Sequence, residues 1–128
     1  MVSRDTIVHL VAVTLALLLL LIADYANLLA ELGPSIIVFV LFYGIVFGGA
    51  HLYLALRGDD GMVPTGARWR YLAMLAVLLG AGVLSLYGGD RTLATIELET
   101  IGTVLIVLTL MAYFVSESIA GYRDANPD

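Results

Sequence analysis

Four apolar stretches separated by short polar turns constrain this chain more than any other feature. Ile7 to Ala23, Ile36 to Leu56, Tyr71 to Tyr87 and Ile101 to Val115 hold 17, 21, 17 and 15 residues, with no Asp, Glu, Lys or Arg among them. Crossing the hydrocarbon core of a bilayer takes about 20 residues at a rise of about 1.5 Å each. The shorter runs reach that length by adding their less apolar flanks. A backbone in lipid must satisfy its own hydrogen bonds, so such runs are read as helices. The two-residue alternation of a membrane β-barrel is missing. The expected fold is an all-α membrane protein with transmembrane helices at about 6–27, 35–57, 68–88 and 97–121.

Composition agrees. In 128 residues, 61% are hydrophobic and only 13% are charged, more apolar surface than a soluble domain of this size can hide. There is no cysteine, which excludes disulfide scaffolds, thiolate metal sites and cysteine nucleophiles. The six basic residues are all arginine and lie scattered, so no nucleic-acid patch exists. Eleven acids, no lysine and a net charge of −5 resemble the charge usage of salt-adapted organisms.

The connections are short. Gly33-Pro34-Ser35 opens the second span, Gly58-Asp59-Asp60-Gly61 and Pro64-Thr65-Gly66 join the second to the third, and Gly88-Gly89-Asp90-Arg91 follows the third. Short loops make neighbours antiparallel, giving an up-down-up-down four-helix bundle. Arg4, Arg57, Arg68, Arg70 and Arg123 then fall at the end of the termini, and Arg91 alone at the other. That bias places both termini in the cytoplasm of a multi-pass cell-membrane protein. The first run, behind Arg4, is long and lacks a small-x-small cleavage site, so it is read as a retained span rather than a signal peptide. Asp24 to Leu32 reads as a continuation of the first helix, and Thr92 to Thr100 as an interfacial lead-in to the fourth.

Small residues recur at helical spacing: Ala12 and Ala16 on the first span, Gly44 and Gly48 on the second, Ala73, Ala76 and Gly80 on the third. Such stripes let backbones approach closely, within the bundle or between copies.

His9 lies five residues in from Arg4, and His51 six in from Arg57. Both therefore sit roughly 7 to 9 Å inside the arginine end. Glu117 lies at similar depth on the fourth span, with Tyr113 one turn deeper on the same face. These four form an expected inner polar layer. It can serve as interhelical hydrogen bonding, as a proton relay through imidazole and carboxylate, or as a pair of imidazole ligands to haem b or a divalent metal. Soluble-enzyme motifs are missing: no P-loop, nucleophile elbow, HExxH or dinucleotide fingerprint occurs.

In size and span count the chain is similar to several small four-span families. Small multidrug-resistance transporters carry a mid-membrane glutamate in the first helix, where Leu15 to Ala23 here are apolar. Dual-topology fluoride channels have balanced ends rather than an arginine bias. The expectation is a non-enzymatic membrane subunit that contacts the lipid bilayer and associates with itself or other membrane subunits. Its alternatives are a small proton-coupled transporter or channel using Glu117 with His9 and His51, or a haem-binding electron-transfer subunit.

Overall fold

The computed structural model describes residues 3–58 and 64–126; the expected loop residues Asp59, Asp60 and Gly61, and the terminal Asp128, lie outside them. Four helices are long and apolar enough to cross a membrane. The first is α1 (Arg4–Tyr25). The second is compound: α2 (Leu32–Gly44), a π turn (Ile45–Gly49) and α3 (Ala50–Leu56) follow without a break. The third and fourth are α4 (Thr65–Tyr87) and α5 (Leu98–Ala125).

Local chemistry explains the ends. The Ser3 side chain caps α1 by accepting from the Thr6 amide, and Asp5 in the first turn meets the positive end of the helix dipole. The period does not continue from Asp24 to Leu32. Asn27 adopts a left-handed conformation (φ 59°), which an asparagine tolerates, and a 3-10 turn (Leu28–Ala30) leads into α2. Pro34 then sits in the first turn of α2, where an amide proton has no helical partner.

Thr92 to Glu97 is not helical lead-in either. β1 (Thr92–Leu93) and β2 (Ile96–Glu97) form an antiparallel hairpin, closed where the Leu98 amide donates to the Arg91 carbonyl at 2.7 Å. Its two turn residues, Ala94 and Thr95, both have positive φ (53° and 70°). Two-residue hairpins demand that geometry and normally use Asn or Gly for it, so β-branched Thr95 is strained here.

Packing runs in chain order. α1 lies on the compound second helix, that helix on α4, and α4 on α5. The contacts pair early residues with late ones. Gly49 meets Ala12, His51 meets His9, Phe39 meets Tyr87, Gly48 meets Leu75, and Ser85 meets Thr103. Small residues make the seams close. Ala12, Ala16, Ala23, Ala50, Ala55 and Ala81 are buried. A Cβ on Gly48 would lie 2.6 Å from Leu75 Cδ2, and one on Gly44 3.6 Å from Leu79.

The third stripe is not a seam within the bundle. Ala73, Ala76 and Gly80 are exposed, and a Cβ on Gly80 would meet nothing within 4 Å. The buried positions of α4 are Arg68, Leu75 and Ala81. The seam to α5 is made by Gly102, whose added Cβ would stand 2.5 Å from the Ser85 amide nitrogen and 2.6 Å from the Ala81 carbonyl oxygen. The neighbours here are backbone atoms of a helix, which cannot step aside.

Two substitutions therefore separate seam from surface. Gly102→Ala should cost about 1–3 kcal/mol through overpacking. Gly80→Ala should be neutral or stabilise by up to about 1 kcal/mol through helix propensity. Unfolding midpoints in mixed detergent check both; equal midpoints would mean that α4 and α5 do not meet at Gly102.

Candidate functional site

The polar side chains gather at the arginine end, around a fully buried arginine. Arg68, on the first turns of α4, has no exposed surface. A buried guanidinium is tolerated only when paired and hydrogen-bonded. Its Nη2 donates to Asp5 Oδ2 on α1 at 3.0 Å, and its Nη1 donates to His51 Nδ1 on α3 at 3.0 Å. One side chain thus ties three helices together. Its Nε has no hydrogen-bond partner among the described residues.

The partners assign the histidine tautomers. A guanidinium only donates, so His51 Nδ1 accepts and its proton resides on Nε2. His9 Nδ1 lies 2.7 Å from the Asp5 carbonyl, which only accepts, so His9 carries its proton on Nδ1. The two rings touch edge to face, with centroids 5.2 Å apart and an interplanar angle of 85°. His51 also lies against Tyr71 (4.7 Å), and Tyr71 against Tyr113 (6.4 Å). The Tyr71 hydroxyl donates to the Phe47 carbonyl at 2.6 Å, inside the π turn. A π turn displaces the ordinary backbone bonds of a helix, and Tyr71 occupies one of the acceptors it leaves.

Of the four residues expected in the inner layer, the structure brings His9 and His51 into contact and joins Tyr113 to them through Tyr71. Glu117 is engaged elsewhere. It accepts from Arg70 Nε at 2.6 Å and Nη2 at 3.5 Å, in a half-exposed pair between α4 and α5. A relay that runs from Glu117 directly to the imidazoles is not the arrangement present. Among the described residues no group of three or more His, Cys, Asp or Glu side chains is placed to hold a metal ion.

The haem expectation also fails to fit. Rings in edge contact leave no slot for a flat macrocycle between them. With Nδ1 of His51 accepting from Arg68, its Nε2 holds a proton and offers no lone pair to iron. Ligation through both imidazoles would require Arg68 to let go.

Asp5, Arg68, Arg70 and Tyr71 belong to the site and were not expected there. Arg68 and Arg70 read in the sequence as inner positive charge alone. The available signal was helical phase: Asp5 and His9 are four apart and share a face. No protein-family model, curated protein or solved structure matches this chain, so the reading rests on the geometry above.

The two ion pairs should behave oppositely. Asp5→Asn leaves the guanidinium of Arg68 buried without its counter-charge and should cost about 3–5 kcal/mol. Arg68→Met with Asp5→Leu should restore most of that loss, because no isolated charge remains. Glu117→Gln breaks a solvent-screened pair and should leave the unfolding midpoint nearly unchanged. A detergent-unfolding double-mutant cycle measures all three; additive losses at Asp5 and Arg68 would mean that the pair is not coupled.

Proposed function

We propose that this chain is a multi-pass cell-membrane protein whose four helices cross up-down-up-down, with both termini cytoplasmic. We further propose that it acts as a non-enzymatic subunit, associating with copies of itself or with other membrane subunits. The observation that carries this reading is uncovered apolar surface. The chain exposes 8594 Å², where a compact soluble monomer of 13.7 kDa exposes about 6,600 Å². Both outer helices contribute: Leu10, Leu15, Leu21 and Ile22 on α1, and Val107, Leu108, Met111, Phe114 and Val115 on α5, are at least half exposed.

The distribution of polar groups supports the same reading. They cluster at the arginine end, and a second, smaller pair, Ser85 with Thr103 (3.2 Å), lies at the other end. Between them the seams are Ala12, Ala16, Gly48, Leu75 and Ala81, with nothing to solvate an ion or carry a proton. The ties at the arginine end are accounted for as interhelical bonds.

One observation favours a second reading. His51 presents a donor edge and His9 an acceptor nitrogen, in rings that touch. Such a pair can pass a proton between imidazoles. A proton-coupled transporter would then use His9 and His51, with Glu117 reached only through Tyr71 and Tyr113.

Mass measurement of the protein extracted with its native lipids tests the subunit reading. A complex heavier than one chain is the expected result, and a lone monomer at native abundance would overturn it. Proton flux into vesicles that is abolished by His9→Gln would favour the transporter instead. Orientation has its own check, helped by the cysteine-free background. Asp90→Cys should react with an impermeant thiol reagent added to intact cells, and Asp124→Cys should not. The reverse pattern would invert the protein.

A further inference from the structure

The π turn at Ile45–Gly49 is a local irregularity in an otherwise ordinary helix. On either side of it the backbone is right-handed, with φ −62° at Gly44 and −66° at Ala50. The extra residue is absorbed within the turn, so α2 and α3 keep the mutual phase of a helix one residue shorter. Gly48 and Gly49 make the turn soft, because glycine favours helix weakly and carries no Cβ to resist a change of register.

α4 grips this segment at two points. The Tyr71 hydroxyl donates to the Phe47 carbonyl at 2.6 Å, within the turn. Arg68 Nη1 donates to His51 Nδ1 at 3.0 Å, just after it. Arg68 and Tyr71 are three apart and share a face of α4. In a regular α-helix the Phe47 carbonyl would accept from the amide four residues on, which is that of His51. In a π turn the bond spans five residues. The residue whose amide would claim this carbonyl in the α register is therefore the one whose ring Arg68 holds in the π register. A π turn leaves backbone groups short of their ordinary partners, so a donor from outside the helix favours it over the regular form.

We propose that the Tyr71 hydroxyl is a latch on the register of the second helix. While it holds the Phe47 carbonyl, the π turn stands and His51 faces Arg68 and His9. When it lets go, the helix tightens to the α register, and α3 turns by about 100° and carries His51 away from both. Opposing release is the packing of α3, where Ala50, Leu54 and Ala55 are buried; only Leu54 among them is large. α3 is seven residues long, so little helix has to turn. Tyr71 is thus a positioning residue for the histidine pair. The device is the same whether the protein serves as a subunit or moves protons.

The chain has two histidines, which makes each of them readable. The full-length protein, labelled with 15N-histidine, is studied in detergent at about pH 8, above the ordinary imidazole range near 6.5. The wild-type spectrum should show His51 with a bare Nδ1 and a protonated Nε2, and His9 with the opposite tautomer. His9→Gln assigns the two. Tyr71→Phe keeps the ring that lies against His51 and removes only the hydroxyl. It should convert His51 from one tautomer to a mixture of both, and leave the proton of His9 on Nδ1. Tyr43→Phe, which removes a hydroxyl one turn before Phe47, should change neither.

Deletion of the half-exposed Phe47 removes the extra residue, so the helix becomes regular without turning α3. Combined with Tyr71→Phe, it should restore the single His51 tautomer, which a merely local effect of the lost hydroxyl would not do. A wild-type His51 without a fixed tautomer would overturn the proposal. So would a His51 that keeps its tautomer in Tyr71→Phe, since packing alone would then hold the register. A mixture that persists when Phe47 is also deleted, or one that Tyr43→Phe produces equally, overturns it as well. Circular dichroism reports the fold of each variant. Should Tyr71→Phe not fold, the double variant decides. A recovered fold with a single His51 tautomer supports the latch. An unfolded double variant, with Val46 deleted in place of Phe47 as well as with Phe47 deleted, overturns it.

Discussion

A buried guanidinium is an expensive thing to place among apolar helices, and the arginine end of this protein is organised around one. Taking a charge out of water costs several kcal/mol per ion even after relaxation, and only a counter-ion with good geometry offsets it. Arg68 has Asp5 at 3.0 Å and His51 at 3.0 Å, each on a different helix. α1 and α4 share little other surface. Their mutual position is therefore set by the ion pair and by the crossing between them, rather than by a wide seam. The same bond settles which nitrogen of His51 holds the proton, and so decides what the histidine pair can and cannot ligate.

The opposite end is held by different physics. There α4 and α5 approach until Gly102 faces the backbone of Ala81 and Ser85, with a hydroxyl pair, Ser85 and Thr103, beside the contact. Close backbone approach gains dispersion without placing any charge at risk. The structure thus combines a charge clamp between its first three long helices with a glycine seam between its last two. Loss of the clamp leaves a buried charge without its counter-ion, whereas a fault in the seam only separates two apolar surfaces.

The four long helices were legible in the sequence because each is an apolar run bounded by turn residues, a signal that survives ignorance of packing. Depth was legible for the same reason: counting in from Arg4 and Arg57 brought His9 and His51 to one level. What counting along an axis cannot supply is the direction a side chain takes around that axis. Arg68, Arg70 and Asp5 have the right depth to be surface charges, and their burial or pairing depends on which neighbour each one faces. The π turn at Ile45–Gly49 is a similar case. Its extra residue rotates everything after it by about 100° relative to a regular helix, so a stripe continued from Gly44 and Gly48 at regular spacing does not stay on one face. Two adjacent glycines and a tyrosine on another helix do not announce that. The hairpin at Thr92–Glu97 was hidden by its turn, since Ala94 and Thr95 are not residues that signal positive φ.

The segment Arg68-Trp69-Arg70 ties the two ion pairs to the shape of the whole molecule. Residues two apart on an α-helix point about 200° away from each other. Arg68 reaches Asp5 on α1, and Arg70 reaches Glu117 on α5. The first and last helices therefore lie on opposite sides of α4, strung out in chain order, and α5 takes its helical packing from α4. A bundle opened in this way leaves α5 bare along most of its length. In water that arrangement would collapse, because the apolar faces of α1 and α5 would seek each other. Among lipid tails there is no such drive, and helices stay where close packing and polar ties put them. The open arrangement would suit a solvent as apolar as its own side chains, where the bare faces would meet acyl chains or the helices of another subunit.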